Sequence, residues 1–243
     1  MCGFYCLCTG VAKAAGGIAF CPRRLFGRTG AADIFVVVGG HKPALREGRG
    51  VGILMFTPAT MQFYEEHLAD HHNGTGRRCA LLCARLGFSA TQTQTAVMAA
   101  RVHDMGKMFV PWNLLTKAGP LTVAERRSVE QHVQMGAVYL GQRDFPGEII
   151  QTVWSHHERW DGTGYPDGLS GDKIPLLARI ISICDAWDAM AAGRHYKKRL
   201  CLGQITREIQ TGADTGQFSP DLAEAVLDIL QQNRRIESVQ NRA

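Results

Sequence analysis

An imidazole and a carboxylate stand side by side at His103-Asp104, where the apolar run 96–102 ends, and Lys107 follows about one helical turn later. Further along, His132 lies among Val129, Val133 and Gly136. Two adjacent imidazoles open the run His156-His157-Glu158-Arg159-Trp160-Asp161-Gly162-Thr163-Gly164-Tyr165-Pro166, and Asp185 sits inside the apolar stretch 176–187. A carboxylate in so apolar a setting needs a partner, because burying an unpaired charge is expensive; a salt bridge would serve, and so would a metal. Taken singly, each feature has an ordinary explanation, since a lone helical histidine is more often structural and paired histidines occur on many surfaces. The order gives them weight. His–Asp, then His, then His–His, then Asp, each on its own helix, supplies nitrogen and oxygen donors suited to divalent iron, manganese, nickel or zinc. Asp104 is placed to bridge two ions. Adjacent histidines point in divergent directions and could serve one ion each. Two neighbouring metals can clamp a hydroxide and polarise a phosphoryl oxygen, which is the logic of metal-assisted phosphate hydrolysis.

The elements that must hold these residues read as helices. Residues 61–86 carry apolar side chains at helical spacing, with Gly74 and Gly76 weakening the middle. A second helix covers 89–103. The capping box Thr122-Val123-Ala124-Glu125 opens a third that runs through His132 to Leu140. Residues 147–157 form a fourth. Residues 175–190 form a long buried helix with Pro175 in its first turn, and Ser219-Pro220 opens a terminal helix ending near Gln232. Residues 1–57 differ: glycine is frequent, and only 33–38 and 51–56 look like strands. The expected organisation is an N-terminal extension over 1–57, short and irregular or α/β, followed by a mainly α domain over 58–243.

Composition narrows the function class. Of 243 residues, 45% are apolar and 20% charged, and the formal net charge is +5. That excess suits an anionic ligand but is too scattered for a DNA- or RNA-polymer binder; pairs such as Arg77-Arg78 read as solvated faces. The longest apolar run in the extension, 34–38, stops at Gly39-Gly40, so no membrane insertion is expected. Without a recognisable secretory leader, the cytoplasm is the expected location. Cys2, Cys6, Cys8 and Cys21 do not follow a zinc pattern, and Cys79, Cys83 and Cys184 read as small core residues.

Residues from about 66 to 232 resemble the HD-GYP family, a branch of the HD metal-dependent phosphohydrolases. The resemblance is carried by His103-Asp104-Met105-Gly106-Lys107, by His132 with Gly136, by the run from His156 to Pro166, by Asp185-Ala186-Trp187-Asp188-Ala189-Met190 followed by Arg194-His195-Tyr196-Lys197, and by Gly216-Gln217-Phe218-Ser219-Pro220. It implies an HD-type helical bundle that hydrolyses cyclic di-GMP to pGpG or onward to GMP. By the same resemblance His71, His103, Asp104, His132, His156, His157 and Asp185 ligate two divalent metals, iron or manganese first, with nickel or zinc as alternatives. Lys107 would stabilise or protonate the leaving oxygen, Gly164 and Tyr165 would line the nucleotide loop, and Arg194 and Lys197 would hold phosphate or guanine. Asp188 reads as a supporting hydrogen-bonding residue.

The first helix departs from the family. Counting back from Leu86-Gly87 puts His71 at the family's histidine and His67 where a glutamate is usual. His67 and His71 are four apart and share a face, so His67 is a candidate ligand for a third ion. His72 would replace His71 if the register slipped at the glycines; the alternative to a ligand role is that His67 and His72 are surface residues. His195 takes the place of a proline. The leading expectation is a cyclic di-GMP phosphodiesterase. Its alternatives are a phosphodiesterase for another cyclic dinucleotide or a nucleotide, and a low-turnover cyclic di-GMP sensor or interaction module. Nothing in the sequence fixes an oligomeric state.

Overall fold

The computed structural model describes residues 34–36, 53–55, 58–192 and 199–240, with side chains described over 68–192 and 199–234. In the extension, β1 (Ile34–Val36) pairs antiparallel with β2 (Ile53–Met55), Ile34 opposite Met55. These are the two segments expected as strands. Among the described residues the remaining regular elements are helices, as expected for an HD-type bundle.

α1 (Pro58–Arg85) and α2 (Ala90–Val102) form a hairpin. Cys79, Leu82 and Cys83 on α1 and Ala96, Ala99 and Ala100 on α2 are all fully buried at i, i+3, i+4 spacing. The small alanines let the two helices pack closely, and Ser89 caps α2 through a capping box with Gln92. Despite Gly74 and Gly76, α1 runs unbroken, so no register slip occurs. A 3-10 turn, Met105–Phe109, follows α2, then α3 (Trp112–Leu115) and α4 (Val123–Glu130).

The single helix expected from the Thr122 cap through Leu140 is two helices, α4 and α5 (His132–Gly141). They break at Gln131, beside the carbonyl of Val129, which accepts a hydrogen bond from the imidazole of His132. α6 (Gly147–Ser155) stops just before the paired histidines, so His156 is its C-cap rather than an interior residue.

α7 (Leu176–Ala192) is the central helix. It buries Ile180, Ile181, Ile183 and Cys184 and packs against α1, α2, α6, α8 and α9. α8 (Leu202–Asp214) has no counterpart in the sequence reading; it is capped by Gln204 on the backbone of Cys201 and buries Ile205 and Ile209. α9 (Pro220–Gln240) extends beyond the expected end near Gln232. Cys79, Cys83 and Cys184 are buried as expected, whereas Cys2, Cys6, Cys8 and Cys21 lie outside the described residues. Among the described residues, no helix is long and apolar enough to cross a membrane.

Candidate metal centre

Asp104 is the hub. It follows α2, is 1% exposed, and its two oxygens face different partners. Oδ1 lies 3.3 Å from His132 Nε2 and 3.7 Å from His156 Nε2. Oδ2 lies 3.4 Å from His103 Nε2 and accepts a hydrogen bond from the Lys107 ammonium. Residues from α2, α5 and α6 therefore meet on one carboxylate, with His103, His132 and His156 all buried. On the other side, His103 Nε2 is 3.7 Å from Asp185 Oδ1 on α7, and that oxygen is 2.8 Å from His71 Nε2 on α1.

Two groups of donor atoms are compact enough for a metal, each within 4.8 Å of one another: Asp104 with His132, His156 and His157, and His71 with His103 and Asp104. Asp104 belongs to both. His156 and His157, expected to diverge, instead lie with ring centroids 4.2 Å apart and share the first group. The end of α6 at Ser155 takes the second histidine out of helical geometry, so the angular separation of helix neighbours does not apply.

The imidazoles are held in one tautomer. Nδ1 of His103 donates to Ala100 O at 2.7 Å, that of His132 to Val129 O at 2.7 Å, and that of His156 to Val153 O at 2.8 Å. His71 differs, donating from Nδ1 to the Asp188 carboxylate at 2.7 Å. In every case Nε2 is left to face the centre, the arrangement typical of metal-ligating histidines. With Nδ1 carrying the proton, six of these inward atoms are buried acceptors with no donor facing them: Nε2 of His71, His103, His132 and His156, and Oδ1 of Asp104 and Asp185. Buried polar atoms are ordinarily satisfied, and a divalent cation satisfies acceptors of this kind together. The residues fit a metal.

The electrostatics express the same demand for positive charge. Burial opposes a charged imidazole at His103, but Asp104 and Asp185 outweigh it and raise its pKa to about 10. His71 is raised as well, with burial again outweighed by Asp185 and Asp188. Burial likewise opposes a charged Asp104, yet Lys107 and His103 hold its pKa well below the usual range. Asp185 is lowered too, by His103 and His71 against the cost of burial. At the far end, burial and neighbouring imidazoles push His156 down to about 4 and hold His157 well below its ordinary value. Neutral imidazole is the form that ligates a metal.

Lys107 sits on the 3-10 turn that Gly106 allows to press against α5. A Cβ at Gly106 would lie 1.8 Å from the carbonyl oxygen of His132 and 2.6 Å from Gly136 N. The sequence suggests only that this glycine ends a helix; its role is the contact that brings Asp104 and His132 together. Rather than projecting outward, Lys107 turns back onto Asp104. The side chains of Asp185, Lys107 and His71 are 22%, 18% and 15% exposed, so the centre is open to solvent along this edge.

The loop after α6 is tied down at several points. The buried carboxylate of Glu158 accepts from the backbone of Asp167 at 2.7 Å and Leu169 at 3.0 Å, and Asp161 N donates to Gly216 O at 2.9 Å. Tyr165 stacks on His157 with centroids 4.8 Å apart, which places its ring beside the centre. Gly164 is packed against backbone, 2.4 Å from Arg159 N to an added Cβ, so it shapes the loop. Arg194 and Lys197 lie outside the described residues, as does the side chain of His67.

Two readings of the first helix are corrected. His72 neither replaces His71 nor lies on the surface. It is 8% exposed, its ring is 5.4 Å from that of His103, and its Nε2 has no hydrogen-bond partner. Burial, then His103, pushes its pKa down to about 3. Arg78, read as part of a solvated pair, is instead mostly buried in an ion pair with Asp188. The signal was present in the sequence: residues 71, 74 and 78 share one helix face.

A family model described as HD domain matches residues 61–222, and the chain belongs to that family. The HD-GYP resemblance is borne out among its relatives. The chain is 41% identical over 120 residues to the cyclic di-GMP phosphodiesterase response regulator RpfG of Xanthomonas campestris, covering 49% of this chain and 32% of that protein. It is 36% identical over 159 residues to 3'3'-cGAMP-specific phosphodiesterase 2 of Vibrio cholerae, covering 63% of this chain and 30% of that protein. The chain thus spans about a third of the length of these curated relatives. Its fold is similar to the structure of Bd1817, an HDG"Y"P protein from Bdellovibrio bacteriovorus, with a TM-score of 0.56 at 21% identity, covering 68% of this chain and 52% of that one.

Proposed function

We propose that this chain is a metal-dependent phosphodiesterase that hydrolyses cyclic di-GMP to pGpG, with GMP as a further product. The observation that carries the reading is Asp104, a buried carboxylate with imidazoles from three elements around its two oxygens. The names of relatives at 34–41% identity support the substrate class. In this reading His71, His103, Asp104, His132, His156, His157 and Asp185 hold two divalent ions, iron or manganese, with His67 the candidate ligand for a third. The ions would supply an activated hydroxide and polarise a phosphoryl oxygen.

The remaining roles belong to the chain's own side chains. Asp104 neutralises charge between the two donor groups. Lys107 shares an oxygen of Asp104 with His103 on a side chain that is partly exposed, and in this reading its ammonium stabilises or protonates a leaving oxygen beside that carboxylate. Tyr165, kept a neutral phenol by burial and by nearby carboxylates, offers a ring face to a nucleobase. Arg194 and Lys197 carry charge for phosphate or guanine. Residues 58–243 form the catalytic domain, and 1–57 precede it as an extension with no assigned role.

A cyclic GMP-AMP dinucleotide is the second reading, favoured by the Vibrio relative. Parallel turnover of cyclic di-GMP and 3'3'-cGAMP by the manganese-loaded full chain, with products separated chromatographically, tests the choice. Faster loss of cyclic di-GMP with pGpG appearing is expected. A kcat/KM higher for 3'3'-cGAMP would overturn the substrate assignment while leaving the chemistry in place.

A further inference from the structure

Of the four centre imidazoles with a bonded Nδ1, three are set by the backbone. His103, His132 and His156 each donate to the carbonyl three residues earlier, so local chain geometry fixes them. His71 depends on another helix. Its Nδ1 donates to Oδ2 of Asp188, whose side chain is only 2% exposed on α7. The other oxygen of Asp188 accepts from the Arg78 guanidinium, which also donates to Gly74 O at 3.1 Å and lies 5.5 Å from the Trp187 ring centroid.

The contact exists because residue 74 has no side chain. A Cβ there would fall 2.0 Å from Asp188 Oδ1 and 2.6 Å from its Cγ. An alanine would therefore drive the carboxylate off α1. Gly74 weakens α1 as a helix but opens the place where α7 delivers a charge to His71.

We propose that Gly74, Arg78 and Asp188 form a positioning brace that sets the metal affinity of the His71/Asp185 end of the centre independently of the His132/His156/His157 end. A carboxylate on Nδ1 fixes the ring and strengthens Nε2 as a donor, while the guanidinium holds that carboxylate in place. The other end has no such dependence, because its bonded Nδ1 atoms rest on backbone carbonyls. The two ends share Asp104 but are tuned by different means. The inference rests on the two-metal reading above.

The test measures bound manganese in the full chain across a series of free Mn²⁺ concentrations. Wild type is expected to fill two positions. Asp188→Asn keeps the shape and an acceptor but loses the charge, and should weaken one position by about 10- to 100-fold while leaving the other unchanged. Arg78→Met should do the same, with Arg78→Lys recovering part of the loss. Gly74→Ala should match Asp188→Ala, and combining the two should cost nothing further, since both remove one contact. If Gly74→Ala does not fold, Asp188→Asn decides alone. Manganese binding by Asp188→Asn indistinguishable from wild type, equal weakening of both positions, or additive losses in the double variant would each overturn the brace. A wild type that binds no manganese would overturn the metal-centre reading beneath it.

Discussion

Asp104→Ala is expected to abolish hydrolysis of cyclic di-GMP and to strip metal from both ends of the centre. The carboxylate is the one residue common to both donor groups, and its Oδ1 and Oδ2 are approached by His132, His156 and His103. Without it, two divalent ions would face each other with no negative charge between them. Turnover should fall by about 10³-fold or more, at least the scale of removing a main charge-stabilising group. Lys107→Ala provides the contrast. Lys107 pairs with Asp104 but belongs to neither donor group, so its loss should slow turnover by about 10²-fold with metal content retained. Metal analysis beside a rate assay separates the two. Near wild-type turnover and metal in Asp104→Ala would remove Asp104 from the centre.

The second large effect is expected at Gly106, a buried residue with no donor atom to offer a metal. An added methyl would sit 1.8 Å from the carbonyl oxygen of His132, and a backbone atom cannot rotate away. The 3-10 turn carrying Lys107 and the start of α5 carrying His132 must then separate. Overpacking of this severity should cost about 3 kcal/mol, the upper end of the usual range. Because the displaced elements flank Asp104, metal affinity should fall with stability. Thermal unfolding and metal content of Gly106→Ala check both. A variant as stable and as metal-replete as wild type would show that this contact does not hold the centre together.

How far the sequence disclosed this centre depends on the range of the interaction. His103-Asp104, His132, His156-His157 and Asp185 were legible because donor types stood at the ends or in the middle of apolar helices, where a polar residue needs a reason. Counting along α1 pointed to His71, whose Nε2 lies 2.8 Å from Asp185 Oδ1. His72 was not legible, since neighbours on a helix are about 100° apart and one face was assumed to serve the site. In fact α1 straddles His103, with the rings of His71 and His72 at 5.7 and 5.4 Å from it. The break between α4 and α5 was hidden because the carbonyl of Val129 serves the His132 side chain, a local side-chain bond that apolar periodicity does not signal. Gly74 looked like a weakness in a helix and Gly106 like a helix end because their neighbours, Asp188 and His132, are distant in sequence. A glycine's purpose in a close approach cannot be read until the approaching partner is known.

The central claim is that the chain's His/Asp cluster hydrolyses a cyclic dinucleotide through bound metal. The most direct measurement follows cyclic di-GMP turnover in protein stripped by chelation, with metal loss verified, and then restored with Mn²⁺ or Fe²⁺. The account predicts no turnover in the stripped protein and pGpG formation on restoration. Full turnover by verified metal-free protein would contradict it.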